Sequence, residues 1–207
     1  GRFTHYSSTY SLDVQGDCTI NNTGILDGGS GSIEMNSLTI NSGGEYRATS
    51  GTTTTTGEAG SGYAWYNVSG TYTHNNGTVK FTGANDTDIR EDAFYDVIIL
   101  GNTSSVDFYI RQKDNESSSS GHIKIFNNLD IQRGGFSRAK PANELTVFGI
   151  VNISSLDSGT AYFGDTSDTG IYNLGAVNIH NGGTFNLSNG ANNINSIRNI
   201  SGTVTQD

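Results

Sequence analysis

The 207-residue chain is 33% hydrophobic and 15% charged, with 28 Gly, an apolar share below the roughly 45–50% of ordinary globular domains. Ten Tyr and nine Phe exclude the aromatic-poor, highly charged composition of a disordered chain. A net charge of −9 excludes the basic surface that displaces counterions from a phosphate backbone, so no nucleic-acid partner is expected.

From the N-terminus, residues 1–30 read as a cap or a partial coil. They hold Cys18, the one cysteine, as a small core residue. A single cysteine allows no intrachain disulfide, and a zinc site would need several Cys or His at ligand spacing. Leu38 then opens the phrase LTINSGGEYRA. Residues 49–65 read as an inserted, exposed loop around the low-complexity run GTTTTTGEAGSG. Its Thr52 to Thr56 is similar to the threonine ladders of ice-binding solenoids, but the run does not repeat at coil spacing. Beside it, Tyr63, Trp65 and Tyr66 form an aromatic cluster, read either as a hydrophobic cap or as a contact patch for a partner subunit or a glycan.

Next comes GTYTHNNGTVKF, with Tyr72, Val79 and Phe81 on alternating positions. Val97 opens VIILGNTSSVDFYI, Leu129 opens LDIQRGGFSRA, Val151 opens VNISSLDSGTAYF and Val177 opens VNIHNGGTFNL. Residues 112–121 and 133–143, the latter with the one proline, Pro141, read as further inserted loops. Ile197, Ile200 and Val204 continue the apolar spacing to the end.

These phrases share one form: apolar-x-Ile, a polar turn usually with Gly, then alternating apolar positions. Period-two alternation means strand, and Gly permits the backbone conformations of tight turns. A plain hairpin is the first alternative, because Gly-Gly and Asn-Gly are hairpin signals. Against it, the phrase returns after 32, 22 and 26 residues from Val97 to Val177, and the 59 residues from Leu38 to Val97 are about two such steps. Periods of roughly 20–50 residues mark solenoids. The expected fold is therefore all-β: one domain, a single-stranded right-handed parallel β-helix (β-solenoid) of seven or eight irregular coils with loop insertions. Few prolines suit a ladder in which nearly every N–H is paired. The chain starts without Met, so it reads as a processed product or part of a longer protein. Its last phrase, GTVTQD, calls for more chain or a neighbouring subunit to cover the final strand edge.

Candidate sites are few. His180 and His74 align with Asn41 and Gln132, so all four read as turn-entry side chains that hydrogen-bond the backbone; a catalytic group would not be swapped from coil to coil. His5 and His122 have no such context. Asp86, Asp88, Glu91 and Asp92, and separately Asp165 with Asp168, read as solvated turn residues. The alternatives are a weak calcium site or the paired carboxylates of a glycan-cleaving β-helix. Neither cluster has calcium-loop spacing. No nucleophile elbow or phosphate loop occurs. Asn67, Asn76 and Asn152 head glycosylation sequons, at a frequency close to chance for this composition. No catalytic, metal or cofactor residue is assigned. No membrane insertion is expected, since no segment has the form of a membrane span.

Gly70-Thr71-Tyr72-Thr73-His74-Asn75-Asn76-Gly77-Thr78-Val79-Lys80-Phe81, continued by Phe94-Tyr95-Asp96-Val97-Ile98-Ile99, resembles a repeat of bacterial extracellular proteins and phage structural proteins. The close likeness covers about 40 residues. It implies a turn at His-Asn-Asn-Gly, the next strand at the Phe-Tyr-x-apolar-x-Ile group, and a surface-exposed solenoid scaffold; it implies no chemistry. The leading expectation is a non-enzymatic structural protein of a virus particle, a phage capsid decoration or fibre module at the virion surface. Its partners would be other virion or surface-assembly subunits, further copies of itself (a trimer is one arrangement) and host-surface glycans. The alternatives are an extracellular, cell-surface adhesin segment of a bacterium or archaeon and, third, a β-helix polysaccharide lyase or hydrolase.

Overall fold

A computed structural model of the chain describes residues 1–90, 92–111, 122–138, 144–156, 159–164 and 170–205. The loop expected at 112–121, the Pro141 segment, Glu91, Asp165 and Asp168 lie outside the described residues. The described residues hold strands and turns and no helix. Hydrogen bonding gathers the strands into one four-stranded and one seventeen-stranded sheet. Pairings such as Leu12 with Ile33, Val79 with Val97 and Val151 with Val177 are parallel and join one turn to the next. A hairpin would pair antiparallel, so that alternative falls. The molecule is a β-solenoid of about eight turns.

Each turn crosses three faces. On the first, the strand register builds two inward columns. One runs Leu12, Ile33, Thr53, Val79, Val97, Leu129, Val151, Val177, Ile197; the other runs Val14, Met35, Thr55, Phe81, Ile99, Ile131, Ile153, Ile179. On the second face Cys18, Leu38, Trp65, Ile89 and Ile110 stack, and beside them Phe108, Phe136, Phe163 and Phe185. The third face stacks Phe3, Leu26, Tyr46 and Tyr72 near one end. Further along it stacks Phe94, Ile125, Val147, Leu174 and Ile194. Alternate residues point inward because the strand period is two, and no single turn could bury its inner row alone. From Ile33 to Ile179 the residues of the first two columns are buried.

Val97, Leu129, Val151 and Val177 share one column, as their phrases lead one to expect. Leu38 does not. It stacks between Cys18 and Trp65 on the second face. Its turn's member of the first column is Ile33, three steps before Val97 by way of Thr53 and Val79. The 59-residue gap was therefore miscounted as about two coils. The cause is that the phrase describes a corner, and each turn has three. Asn21-x-x-Gly24, Asn41-x-x-Gly44 and Asn67-x-x-Gly70 close the second-to-third corner. His74-x-x-Gly77 closes the third-to-first corner, and His180-x-x-Gly183 and Asn199-x-x-Gly202 the first-to-second. His180 and Gln132 are thus equivalent, whereas His74 and Asn41 each stand at a different corner. The last position needs glycine because two turns touch there: a Cβ on Gly70 would lie 2.3 Å from Ile40 Cγ2, and one on Gly183 would lie 2.4 Å from the Ile153 carbonyl oxygen.

Two expected insertions are core strands. Thr52–Thr55 pairs with Ile33–Ile40 on one side and Thr78–Gly83 on the other, with Thr53 and Thr55 fully buried. Only residues 56–62 project as a loop. The low-complexity composition concealed a strand whose alternate threonines replace Ile and Val at two rungs. Likewise residues 133–138 belong to the strand Leu129–Arg138, which buries Phe136; the Gly134-Gly135 pair passes through the ladder. At the N-terminal end Leu12–Ile20 and Ile25–Asp27 pair with the following turn, the former with a register shift between Val14 and Asp17. Cys18 is only partly buried and packs against the core, and that burial pushes its thiol pKa up.

Candidate functional site

In the sequence Tyr63, Trp65 and Tyr66 read either as a hydrophobic cap or as a contact patch. The strand Tyr63–Asn67 turns Trp65 wholly inward. The indole lies 4.9 Å from Tyr72, 5.2 Å from Phe94 and 6.0 Å from Tyr46 by ring centroids. Its Nε1–H donates to Asp92 Oδ2 at 2.9 Å. Tyr63 is buried against Tyr66, and Tyr66 receives the guanidinium of the buried Arg90 at 4.9 Å from its ring. Trp65 is part of the core, and Tyr63 is buried beside a half-buried Tyr66, so the three do not form one exposed patch.

The acidic candidates are drawn into the scaffold one by one. Asp92 accepts from Trp65, from Asn67 Nδ2 (3.1 Å) and from the Ala93 amide (2.9 Å). Asp86 Oδ1 accepts the Asp107 amide at 2.9 Å. Asp88 pairs through its backbone with Tyr109. Among the described residues no three His, Cys, Asp or Glu side chains converge to hold a metal. Asp107 was missed: its carboxylate accepts the hydroxyls of both Tyr109 and Tyr162, the latter reaching across Gly135 from two turns away.

The histidines divide. His180 keeps its corner through its backbone, its carbonyl accepting Gly183 N–H at 2.9 Å. His74 uses its ring: Nδ1 accepts the Asn76 N–H at 3.0 Å, at a turn where Asn75 and Asn76 both have positive φ. His122 Nε2 lies 3.0 Å from Thr146 Oγ1 and 3.5 Å from Glu144 Oε1. His5 is half-buried near Gly31, with Nδ1 unpartnered. Of the sequon asparagines, Asn67 closes its corner on Gly70. Asn152 is a rung of an external ladder, donating to Asp130 at 2.6 Å and accepting from Asn178 at 3.0 Å. Asn76 is exposed.

An aromatic feature that crosses several turns and is partly exposed was not nominated. Along the third-to-first corner stand His74, Tyr95, Phe126 and Phe148, one from each of four successive turns. His74 lies 5.5 Å from Tyr95 and 5.3 Å from Phe126, and Phe126 lies 5.7 Å from Phe148 at an interplanar angle of 6°. Phe126 is 45% and Phe148 60% exposed. The corner beneath is tied from turn to turn. Asp96 Oδ1 accepts Asn127 Nδ2 and the Asn128 amide, both at 2.9 Å, and Asn128 Oδ1 accepts the Ile150 amide at 3.0 Å. A sequence signal for this ridge exists: Phe94-Tyr95, Ile125-Phe126 and Val147-Phe148 are apolar doublets that break the alternation. The first member sits in the inward column of the third face and the second points out.

Comparison with family models, with curated proteins and with solved structures finds no match to this chain. The β-solenoid and the ridge are therefore what the reading of function has to work from.

Proposed function

We propose that the chain is a non-enzymatic structural module, a stiff β-solenoid rod that serves as a capsid decoration or fibre segment of a virus particle. The observation that carries the reading is how its polar groups are used. Asp92, Asp86, Asp107, Asn67 and Asn152 all make bonds that hold one turn to another or close a corner. Side chains used in this way stiffen a rod. The viral assignment adds the likeness of Gly70 to Ile99 to repeats of phage structural proteins. Cryo-electron microscopy of the source particles tests it: rod-shaped density fitted by this chain on the virion is expected, and virions without such density would overturn the viral reading.

A second reading is a cell-surface adhesin segment, and the exposed aromatic ridge favours it. Surface labelling of intact source cells with an antibody to the chain would support it. Absence of label on cells that express the chain would overturn it.

A further inference from the structure

We propose that the ridge of His74, Tyr95, Phe126 and Phe148 is a binding site for an uncharged linear polysaccharide lying along the solenoid axis. The inference stands on the ridge alone and is independent of whether the chain belongs to a virion or a cell surface.

The geometry of the rings argues for a saccharide. Near-parallel rings in contact sit about 3.5–4.0 Å apart by plane. A centroid separation of 5.7 Å between Phe126 and Phe148 therefore implies a lateral slip of about 4 Å in an offset stack. Each ring leaves part of a face bare, like a tread. The upper face of Phe148 has no side chain over it from the next turn, because the corner residue there is Gly175. A Cβ on Gly175 would come within 2.2 Å of the Gly149 carbonyl oxygen and 2.8 Å of that of Phe148. Bare aromatic faces take the C–H face of a pyranose, and Phe126 and Phe148 offer two such treads on successive turns.

The narrowness argues against a protein partner. A stable protein interface engages about 20–30 residues a side, and this ridge is one ring wide at a convex corner. The charge argues against an ionic ligand. The four ridge side chains carry no carboxylate or ammonium, and the flanking Asn127, Asn128 and Asp96 are bonded to one another. The treads are also fixed in advance, since that corner network and the His74–Asn76 bond hold the backbone beneath them. A ligand would therefore not have to order the site as it binds.

The test is affinity electrophoresis of the intact chain through native gels containing hydroxyethyl cellulose, galactomannan, xylan, mannan or amylopectin. Retardation by at least one polymer is expected, with the double variant F126A/F148A losing at least tenfold in affinity for it. Phe126 and Phe148 are 45% and 60% exposed, so the variant should keep the parent circular dichroism spectrum and melting profile. The exposed Tyr6 and Tyr10, 87% and 75% accessible, supply the control, and Y6A/Y10A should bind as the parent does. Three outcomes would overturn the proposal. They are no retardation by any of the polymers, retardation equal in parent and F126A/F148A, and a ridge variant that changes only the sedimentation coefficient, which would make the ridge a contact between copies.

Discussion

At the scale of single residues, four hydroxyls decide how well the N-terminal half of the core is satisfied. Tyr46 OH and Thr53 Oγ1 bond each other at 2.7 Å in full burial. Thr55 Oγ1 and Tyr72 OH are buried with no partner. Removing one partner of a buried pair costs the desolvation of the group left behind, about 1–3 kcal/mol, whereas removing an unmatched hydroxyl is neutral or favourable. Urea denaturation should therefore show Tyr46→Phe destabilised by about 1–2 kcal/mol, with Tyr72→Phe and Thr55→Val at or above the parent by up to about 1 kcal/mol. The same burial raises the phenol pKa values of Tyr46 and Tyr72 above the usual tyrosine value. The unfolded chain ionises near pH 10, so their contribution to stability is complete below that pH. It is lost as pH rises from there through the higher folded values. The melting temperature should fall as pH rises above about 10, and fall less steeply in Tyr72→Phe.

At the scale of the strand and its corner, the informative unit is Asn/His-x-x-Gly. It was legible in the sequence, and so were the apolar-x-Ile rows of Val97, Leu129, Val151 and Val177. What was not legible was which corner each copy occupies. A corner needs the same local chemistry wherever it falls, a capped turn and a residue without a side chain, so Leu38 looked equivalent to Leu129 while stacking on another face. The threonine strand was misread for a related reason. Composition reports polarity, but whether a threonine points inward depends on the register of its neighbours. The ridge is hidden in the sequence because Tyr95, Phe126 and Phe148 each directly follow an inward residue, Phe94, Ile125 or Val147, where the chain passes a corner. Contact between turns gives a direct test. Gly70→Ala places a methyl group against Ile40 and should lower stability by about 1–3 kcal/mol, the usual cost of overpacking. Gly60→Ala, where a Cβ meets nothing within 4 Å, should leave the melting temperature within a degree or two.

At the scale of the whole molecule, each turn packs chiefly on the next, with Tyr162 to Asp107 and His74 to Phe126 reaching two turns, so stability is close to a sum of turn and interface terms. Turn lengths vary widely, from the 18 residues between Val79 and Val97 to the 32 between Val97 and Leu129, yet the columns stay in line. Variation is absorbed at corners and loops, which is where a rod can acquire surface features without disturbing its core. Protection should follow the columns. Amide hydrogen exchange of the 207-residue chain should be slowest for residues 79–81, 97–99, 129–131 and 151–153, all with buried inward side chains. It should be fastest at residues 194–205, where Ile197, Ile200 and Val204 are 39–51% exposed. Uniform exchange along the chain would contradict nearest-neighbour stacking.

The threonine rung has one more consequence. A column of Val on Leu on Val, Ile on Ile on Ile, would bury nearly as much surface if one segment slid a full turn along the axis. Thr53 and Thr55 break that degeneracy, because they alone in the two first-face columns carry hydroxyls, and Tyr46 meets one of them. The rung works as an address: it fixes which turn lies against which while adding little to the strength of the stack. The triple change Y46F/T53I/T55I should melt higher and refold into a mixture of alignments, seen as doubled amide resonances. A single set of resonances would place the addressing in the unequal turn lengths instead.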